Sequence, residues 1–455
     1  MMDYMPDLLK SHRENGRWLC KLLGYLAHHL KSTGIDTIIA EHCVQNWWFP
    51  SDMITSYGVY RMAKFLDCAQ AAVDARILDR LPVMLKFQNV GVRRLICELL
   101  GALACHKTSA AAVVGTTGAV EHLVSLLRDE HPWVIESAAH ALAQLAQWPC
   151  GAQAAVAAMV LDCIDDLFRS PNATVLHHTC WIIARLACHD TLTTAVATLA
   201  VNPCVQLVFL LWQASNSGYL DPGTRGRFGS STQNIVVTES ATAALCELVK
   251  SPEGAQSAVD ARVLEYIGDL LRSPNPVVWM LTCCMLGRMT CHQATATAVL
   301  AIHPAHHIVC LLREENPSVI ESAVEALCWI AQWPDGAKNV VDAHMLYYVG
   351  DLLESPSSEV RRWTCLTLGT LASRESTSTS TVILCADRLV SLLRGENPKV
   401  VEGAAYALCR ISQSPCGAHA TLNAGILNSV EQLIESPNDL VRQYSCCILG
   451  RIAYC

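Results

Sequence analysis

Apolar residues recur along this chain at helical spacing, in segments that repeat about every 41 residues and pair into a period of about 82. After Val134, the positions Ala138, Ala141, Leu142 and Leu145 fall on one face of a helix. Related segments begin at Glu136, Glu239, Glu321 and Glu402. A repeat of this length, built from amphipathic helices, predicts an all-α solenoid in which neighbouring repeats bury one another.

Turn-forming residues divide each repeat into three predicted helices. In the stretch LLRSPNPVV, residues 270–278, one helix ends at Ser-Pro because proline disfavours helix in the residue before it, and Asn275 caps the next helix. That next helix is the long third helix of the repeat. A Pro-x-Gly turn follows it at Pro149, Pro252, Pro334 and Pro415. A short first helix and a middle helix complete the unit.

The segment VLEYIGDLLRSPNPVVWMLTCCMLGRMT, followed by IHPAHHIVCLLREENPSVIESAVEALCWIAQ, resembles the armadillo repeat. HEAT repeats are the nearest structural rival, but three helices per unit favour armadillo. The resemblance implies a right-handed superhelical α-solenoid, and about eleven units fill 1–455 as a single domain. The first unit, 1–32, lacks its first helix, and the last spans 424–455. Residues 212–234 are rich in Gly, Ser, Thr and Pro and are predicted to form a flexible inserted loop. The loop is either a tolerated insertion without function, a basic phosphorylation-type site or a lid.

The composition is consistent with apolar surface buried between many neighbouring repeats, since 52% of the residues are hydrophobic and 16% are charged. A net charge of -8 argues against general nucleic-acid binding. The chain opens without the pattern of a signal peptide, and its longest apolar stretch, 196–212, is broken by Asn202 and Pro203. We therefore expect no membrane span and a location in the cytoplasm, with the nucleus as the alternative.

The 23 cysteines follow the repeat, which is not the pattern of a secreted disulfide framework. Five of them stand five residues after a recurring valine and are predicted to be buried packing residues: Cys97, Cys180, Cys283, Cys365 and Cys446. Three Cys-His pairs begin at Cys105, Cys188 and Cys291. Since these pairs lie about two or more repeats apart, they are predicted to mark helix ends rather than to share a metal ion. We expect neither metal nor cofactor.

The armadillo resemblance implies that the third helices line a long concave groove. Counted from the recurring valine as position 0, positions 6 and 10 of each third helix point away from the core. Position 10 holds five arginines among about eleven residues, which predicts a basic stripe unless these arginines are only solvated. The candidate binding residues are His140, Gln144, Trp181, Arg185, Arg288, Trp329, Tyr406, Arg410 and Arg451.

The favoured function is a non-enzymatic adaptor or scaffold that binds an extended, acidic or phosphorylated segment of a partner protein. The alternative is the substrate-recognition part of a ubiquitin ligase, although no U-box-like segment is visible. A nuclear-transport adaptor is disfavoured because the Trp-Asn ladder typical of importin-α is missing and arginine stands where asparagine is expected. No Gly-rich phosphate loop, nucleophile elbow or zinc-spaced cluster is present, so an enzyme is not expected.

Both ends of the predicted solenoid carry apolar helices without an evident polar cap. We expect these ends to be covered by further sequence or by self-association. The apolar residues concerned are Leu8, Leu9, Leu19, Leu22 and Leu23 at one end, and Ile448, Leu449 and Ile452 at the other.

Overall fold

The computed structural model describes residues 89–189, 203–215, 231–374 and 385–453, together with 69–70, 73–74 and 78. The chain divides into two compact units, Met1–Leu248 and Val249–Cys455, and each is described by itself. All of the described elements are helical, which confirms the predicted all-α class. The prediction that one solenoid runs through 1–455 stays a prediction at the junction of the two units.

The first unit contains nine α-helices among its described residues. They are α1 (Val90–Ala104), α2 (Lys107–Gly115), α3 (Ala119–Leu126), α4 (Pro132–Leu145), α5 (Pro149–Ala157), α6 (Ile164–Phe168), α7 (Ala173–Ala187), α8 (Pro203–Ser215) and α9 (Ser231–Leu248). A 3₁₀ turn, Val160–Cys163, leads into α6. Short first, middle and long third helices succeed one another, as the turn residues predict.

The second unit contains fourteen α-helices in its described part. They are α10 (Pro252–Asp260), α11 (Ile267–Leu270), α12 (Pro276–Thr290), α13 (Gln293–Ala301), α14 (Ala305–Cys310), α15 (Pro317–Ala331), α16 (Pro334–Asp342), α17 (Val349–Leu353), α18 (Ser358–Ala372), α19 (Ala386–Leu392), α20 (Pro398–Ile411), α21 (Pro415–Asn423), α22 (Val430–Ile434) and α23 (Asp439–Ala453). The 3₁₀ turns Val263–Tyr266, Leu311–Arg313, Met345–Tyr348 and Ile426–Ser429 adjoin the middle helices.

The third helices are α1, α4, α7 and α9 in the first unit and α12, α15, α18, α20 and α23 in the second. Within each unit every third helix packs along the next one in sequence. Val134, Ala138, Leu142 and Leu145 of α4 are fully buried, as their spacing predicts. Burial of apolar surface between consecutive third helices is therefore what holds each stack together.

The turn between the middle and third helices is closed by a side-chain cap, as predicted. The Asn172 side chain accepts a hydrogen bond of 2.8 Å from the Thr174 amide, and Asn275 accepts one of 3.0 Å from the Val277 amide. The Asn172 amide group also reaches back to Glu136 of the preceding third helix, at 3.1 Å. The cap therefore starts one helix and joins it to the repeat before.

The Pro-x-Gly turn places proline at the first position of α5, α10, α16 and α21. Its glycine lies against the end of the third helix. A Cβ atom on Gly151 would stand 2.1 Å from the Leu145 carbonyl oxygen, and one on Gly336 would stand 1.9 Å from that of Ile330. Only glycine allows the backbone to turn this closely.

Four of the five repeated cysteines are confirmed as packing residues. Cys97, Cys180, Cys283 and Cys365 are fully buried, and burial raises the pKa of each thiol. The prediction is wrong for Cys446, which is exposed on α23. No third helix in the described residues packs on the side of α23 away from α20, so this position is left uncovered.

Two further predictions are corrected in part: the bounds of the inserted loop and the exposure of the last repeat. Residues 212–215 belong to α8 and 231–234 to α9, so helix replaces both ends of the predicted loop 212–234, and 216–230 lie outside the described residues. At the last repeat, Ile448 is fully buried against its own unit rather than available for covering. The predicted first repeat, 1–32, and its leucines lie outside the described residues.

Candidate functional site

The nine candidate residues lie on the third helices and are all half-buried. They occupy positions 6 and 10 of their helices, whereas positions 0 and 4 are buried throughout the described third helices. In each unit separately, we call the surface formed by the accessible positions of the third helices the third-helix face. Accessibility is not general at position 10, since Ala102 and Thr370 are buried there, and the binding role of the nine candidates stays a prediction.

In the first unit the face is organised around Arg185 of α7. Its guanidinium carbon lies 5.2 Å from the centre of the Trp181 ring. Its Nη1 atom donates to the carbonyl oxygen of Ala143 and, at 3.2 Å, to the side-chain oxygen of Gln144. The Gln144 amide nitrogen lies 3.3 Å from His140. The Nη1 group of Arg185 thus stabilises the end of α4. The sequence instead predicts that Arg185 donates to a partner protein.

Arg451 repeats this arrangement in the second unit. Its Nη1 atom donates to the carbonyl oxygen of Cys409, at position 9 of the preceding third helix, as Ala143 is for Arg185. The last carbonyls of a helix have no intrahelical partner, so a cation reaching them satisfies an acceptor that folding would otherwise leave open. Arg185 and Arg451 are therefore partly structural, and a ligand-binding role for the arginines at position 10 stays a prediction.

A second set of contacts joins the ends of consecutive third helices. Trp148 Nε1 donates to Ala104 O at 2.8 Å, and Trp333 Nε1 donates to Thr290 O at 2.8 Å. His189 Nε2 lies 3.0 Å from Ala146 O; since a carbonyl only accepts, this nitrogen is the donor. The histidine of the Cys188-His189 pair is thus a helix-end residue, as predicted.

Two histidines that sequence reasoning missed belong to the first unit's face. The rings of His140 and His178 are 5.1 Å apart between centroids, and those of His177 and His178 are 5.2 Å apart. Burial, followed by the neighbouring imidazoles, lowers the pKa of His178 to about 3. Burial also lowers the pKa of His177. Low pKa values keep these two rings uncharged at neutral pH, so this part of the face is polar and aromatic rather than cationic.

The third-helix face of the second unit carries aromatic pairs. Trp329 and Trp363 lie 6.3 Å apart between ring centroids, and Tyr406 and Tyr444 lie 5.6 Å apart. The Arg410 guanidinium lies 5.3 Å from the centre of the Tyr406 ring. Such ring and cation contacts hold flat surfaces in defined orientations on rigid helices.

The three ring pairs follow one rule that includes His140–His178. In each, a ring at position 6 or 10 of one third helix meets a ring at position 3 of the next: His178, Trp363 and Tyr444. At 100° per residue, position 3 lies only about 20° around the helix from position 10. The same helical arithmetic that selected positions 6 and 10 would therefore have found these three residues.

Glycine at position 9 makes room for one ring of each pair; a Cβ atom on Gly101 would stand 3.1 Å from Nδ1 of His140. A Cβ atom on Gly369 would stand 2.5 Å from Cε1 of Tyr406, and one on Gly287 would stand 3.2 Å from Cδ1 of Trp329. The small residue lets the ring of the following helix lie against backbone.

Acidic residues also occupy the second unit's face. Burial first, then the charges of Glu359 and Glu325, raise the pKa of Glu321. Glu359 pairs with Arg362 at 3.0 Å and with Lys399 at 3.7 Å. The face of this unit is therefore of mixed charge, whereas the arginines at position 10 alone predict a basic stripe.

The described residues contain no group of three or more His, Cys, Asp or Glu side chains that could hold a metal ion. Over the same part of the chain, no single helix is both long and apolar enough to cross a membrane. The helices Gln293–Ala301 and Ala305–Arg313, bent by 67°, meet that criterion of length and composition only when taken together.

The fold, with three helices in each repeat, can now be compared with the structures of known proteins. The crystal structure of an engineered protein matches with a TM-score of 0.77 and 23% sequence identity, over 91% of this chain and 98% of that one. The fold is an armadillo-like repeat solenoid. A designed armadillo repeat protein matches over 54% of this chain and 99% of its own, at 19% identity and a TM-score of 0.47. No protein-family model and no curated protein matches this sequence. The likeness of the armadillo-like solenoid to engineered proteins concerns fold alone.

Proposed function

We propose that this chain is a non-enzymatic adaptor or scaffold that binds an extended segment of a partner protein along the third-helix face. The observation that carries the proposal is the series of ring pairs that join consecutive third helices, at His140–His178, Trp329–Trp363 and Tyr406–Tyr444. Paired rings supply large, flat and pre-oriented contact surfaces, and such residues dominate the free energy of many protein interfaces.

The spacing of the third helices favours an extended ligand. Packed helices lie about 8–10 Å apart, and an extended chain advances about 3.3 Å per residue. One third helix is therefore available for about every three residues of a bound segment. Alternate side chains of that segment would meet rings, and its backbone would meet the polar residues between them.

The cations on the face favour acidic or phosphorylated groups in the ligand. Arg410 is half-buried and lies over Tyr406, so its planar guanidinium is held in place before a ligand arrives. Arg185 is likewise held, by its contacts with Gln144 and Trp181. A carboxylate or phosphate can accept two parallel hydrogen bonds from such a group. We further propose that this binding takes place in the cytoplasm, with the nucleus as the alternative.

Selection of peptides on the purified chain tests the proposal before any partner protein is identified. Random twelve-residue peptides are displayed, selected and then titrated in solution against wild type, Tyr406→Ala and Arg410→Ala. We expect each substitution to weaken the selected peptides by about tenfold or more, since central aromatic and arginine residues are typical hot spots.

Tyr347→Ala is the matched control, because Tyr347 is 83% exposed in the turn Met345–Tyr348 and lies outside the third helices. It should leave affinity within about twofold of wild type. Circular dichroism of all variants excludes loss of fold as the cause. Peptides that lose affinity on Tyr347→Ala but retain it on both face substitutions would contradict the proposal.

A further inference from the structure

A cavity of about 940 Å³ opens in the second unit between α14 and the turn Met345–Tyr348 of the following repeat. This volume lies within the range of natural small-molecule sites. Residues of α14, of the turn that follows it and of the chain from the end of α16 line the cavity, and no described third helix contributes to it. The charged, imidazole and phenol side chains of the lining are His306, Arg313, Glu314, His344, Tyr347 and Tyr348.

Arg313 is the arginine of this cavity, and its guanidinium is held in one orientation. Its Nε atom donates a hydrogen bond of 2.6 Å to the hydroxyl oxygen of Tyr348, and its guanidinium carbon lies 5.4 Å from the centre of that ring. Within the part of the chain that the structure describes, Arg313 forms no ion pair, with Glu314 or with any other residue. The two terminal nitrogens are therefore pre-oriented and available to an anion, and a planar guanidinium suits a phosphate group.

Two histidines add further donors to the same cavity. The rings of His306 and His344 have no hydrogen-bond partner among the described residues, and both side chains are exposed. An imidazole carries at least one N–H group in either protonation state, so each ring can donate to an anion. Phosphate oxygens accept several hydrogen bonds at once. The cavity therefore supplies donors for one phosphate from three positions of the chain.

Tyr347 gives the cavity an exposed aromatic wall. Its side chain is 83% exposed, and its ring lies 5.4 Å from that of Tyr348, at an angle of 81° between the two planes. The contact holds the Tyr347 ring beside the ring that orients Arg313, while most of its surface stays open to solvent. Exposed aromatic rings on ordered backbone bind nucleobases by stacking, since every base has a flat π face.

The same place two repeats further along the chain shows which of these features belong to the repeat itself. Arg394 corresponds to Arg313, and its Nε atom lies 3.2 Å from the hydroxyl oxygen of Ser429, to which it donates. Both arginine contacts span 35 residues. The residues that replace His306, His344 and Tyr347 there are Asp387, Gly425 and Asn428. The arginine contact is thus common to the repeats, whereas the imidazoles and the exposed ring are particular to this cavity.

We propose that the cavity binds a nucleoside monophosphate, with the base against Tyr347 and the phosphate on Arg313, His306 and His344. A flat ring joined to a phosphate matches an exposed phenol ring beside an oriented guanidinium. The site uses no residue of the third-helix face, so the proposal does not rest on peptide binding there. Tyr347→Ala can therefore serve as a control for the third-helix face and as a test of nucleotide binding here.

The test titrates AMP, adenosine and inorganic phosphate separately into the full chain, with ligand-observed NMR as the readout. We expect saturable binding of AMP with a Kd on the order of 1 mM or tighter, and about tenfold tighter than that of either fragment, since only AMP uses both parts of the site. Arg313→Gln should weaken AMP and phosphate by about tenfold and leave adenosine within about twofold. Tyr347→Ala should weaken AMP and adenosine by about fivefold and leave phosphate within about twofold.

Arg394→Gln is the matched control, because it removes the equivalent contact from a place without the imidazoles and the ring. It should leave the affinity for AMP within about twofold of wild type. Circular dichroism of every variant excludes loss of fold. The proposal is overturned if AMP shows no saturable binding, if AMP binds no tighter than inorganic phosphate, or if Arg394→Gln weakens AMP as much as Arg313→Gln does.

Discussion

The third-helix faces of the two units share one register and differ in chemistry. In the first unit, the face carries three neighbouring imidazoles, of which His177 contacts Trp181, and Arg185 is tied to the preceding helix. In the second unit, indole and phenol rings alternate with carboxylates, and Arg410 lies over a ring. The comparison teaches that the register determines which side chains reach the surface, whereas their role depends on what the neighbouring helix presents to them.

The two units should be equally sensitive at the Pro-x-Gly turn, where they are built alike. Gly151→Ala in the first unit and Gly336→Ala in the second should each lower the free energy of unfolding by about 3 kcal/mol, since the new Cβ meets a backbone carbonyl. Urea denaturation followed by circular dichroism measures this. Gly115→Ala, with open space around the new Cβ, should be neutral or stabilise by about 0.5 kcal/mol. A small effect at either turn would show that the turn can relax.

Arg185 and Arg410, both at position 10, should differ in what they contribute to stability. Arg185→Met removes the donor to Ala143 O and Gln144, so we expect a loss of about 2 kcal/mol in the free energy of unfolding. Arg410→Met removes a ring contact at a half-exposed site, for which about 0.5 kcal/mol is expected. The same urea titration compares them. Equal losses for the two variants would remove the distinction between a structural and an available arginine.

Lowering the pH should destabilise the third-helix face of the first unit and should not destabilise that of the second. His178 has its folded-state pKa lowered to about 3, so its contribution to stability is complete above about pH 6.5 and is lost as the pH falls from there. We expect α7 to lose about 1–2 kcal/mol between pH 6.5 and 5. Glu321 has its pKa raised, so protonation relieves an unfavourable charge in the second unit as the pH falls.

Hydrogen exchange, corrected for intrinsic rates, gives the opening free energies of α7 and α15 at pH 7 and pH 5. The opening free energy of α7 should fall and that of α15 should not. His178→Gln should remove most of the fall in α7. If both helices lose protection equally, the histidine cluster is not its cause.

A further modest effect on stability should again be common to both units. Trp148→Phe and Trp333→Phe each remove one indole donor to the end of the preceding third helix, so each should cost about 1 kcal/mol. Trp133→Phe is the control, since Trp133 is 64% exposed. Thermal unfolding by calorimetry compares all three variants. If the losses of stability in Trp148→Phe and Trp333→Phe differ by more than the effect of Trp133→Phe, the two helix-end contacts are not equivalent, which would contradict this prediction.

Much of the fold could be predicted from the sequence because each signal is local. Caps such as Asn275, the Pro-x-Gly turns and the buried apolar spacing depend only on residues within one repeat. The accessible positions 6 and 10 follow from helical geometry in the same way. What could not be predicted depends on the translation between neighbouring helices, as when Arg185 reaches Ala143 or a ring at position 6 meets one at position 3.

The central claim is that a partner's extended segment lies on the third-helix face. Photo-crosslinking tests it most directly, with Tyr406 or, separately, Tyr347 replaced by p-benzoylphenylalanine in the chain. Each protein is irradiated with a peptide selected on wild type, and the joined product is identified by mass spectrometry. Strong crosslinking at position 406 with little at 347 is the result predicted here. Crosslinking at 347 with none at 406 would contradict the account.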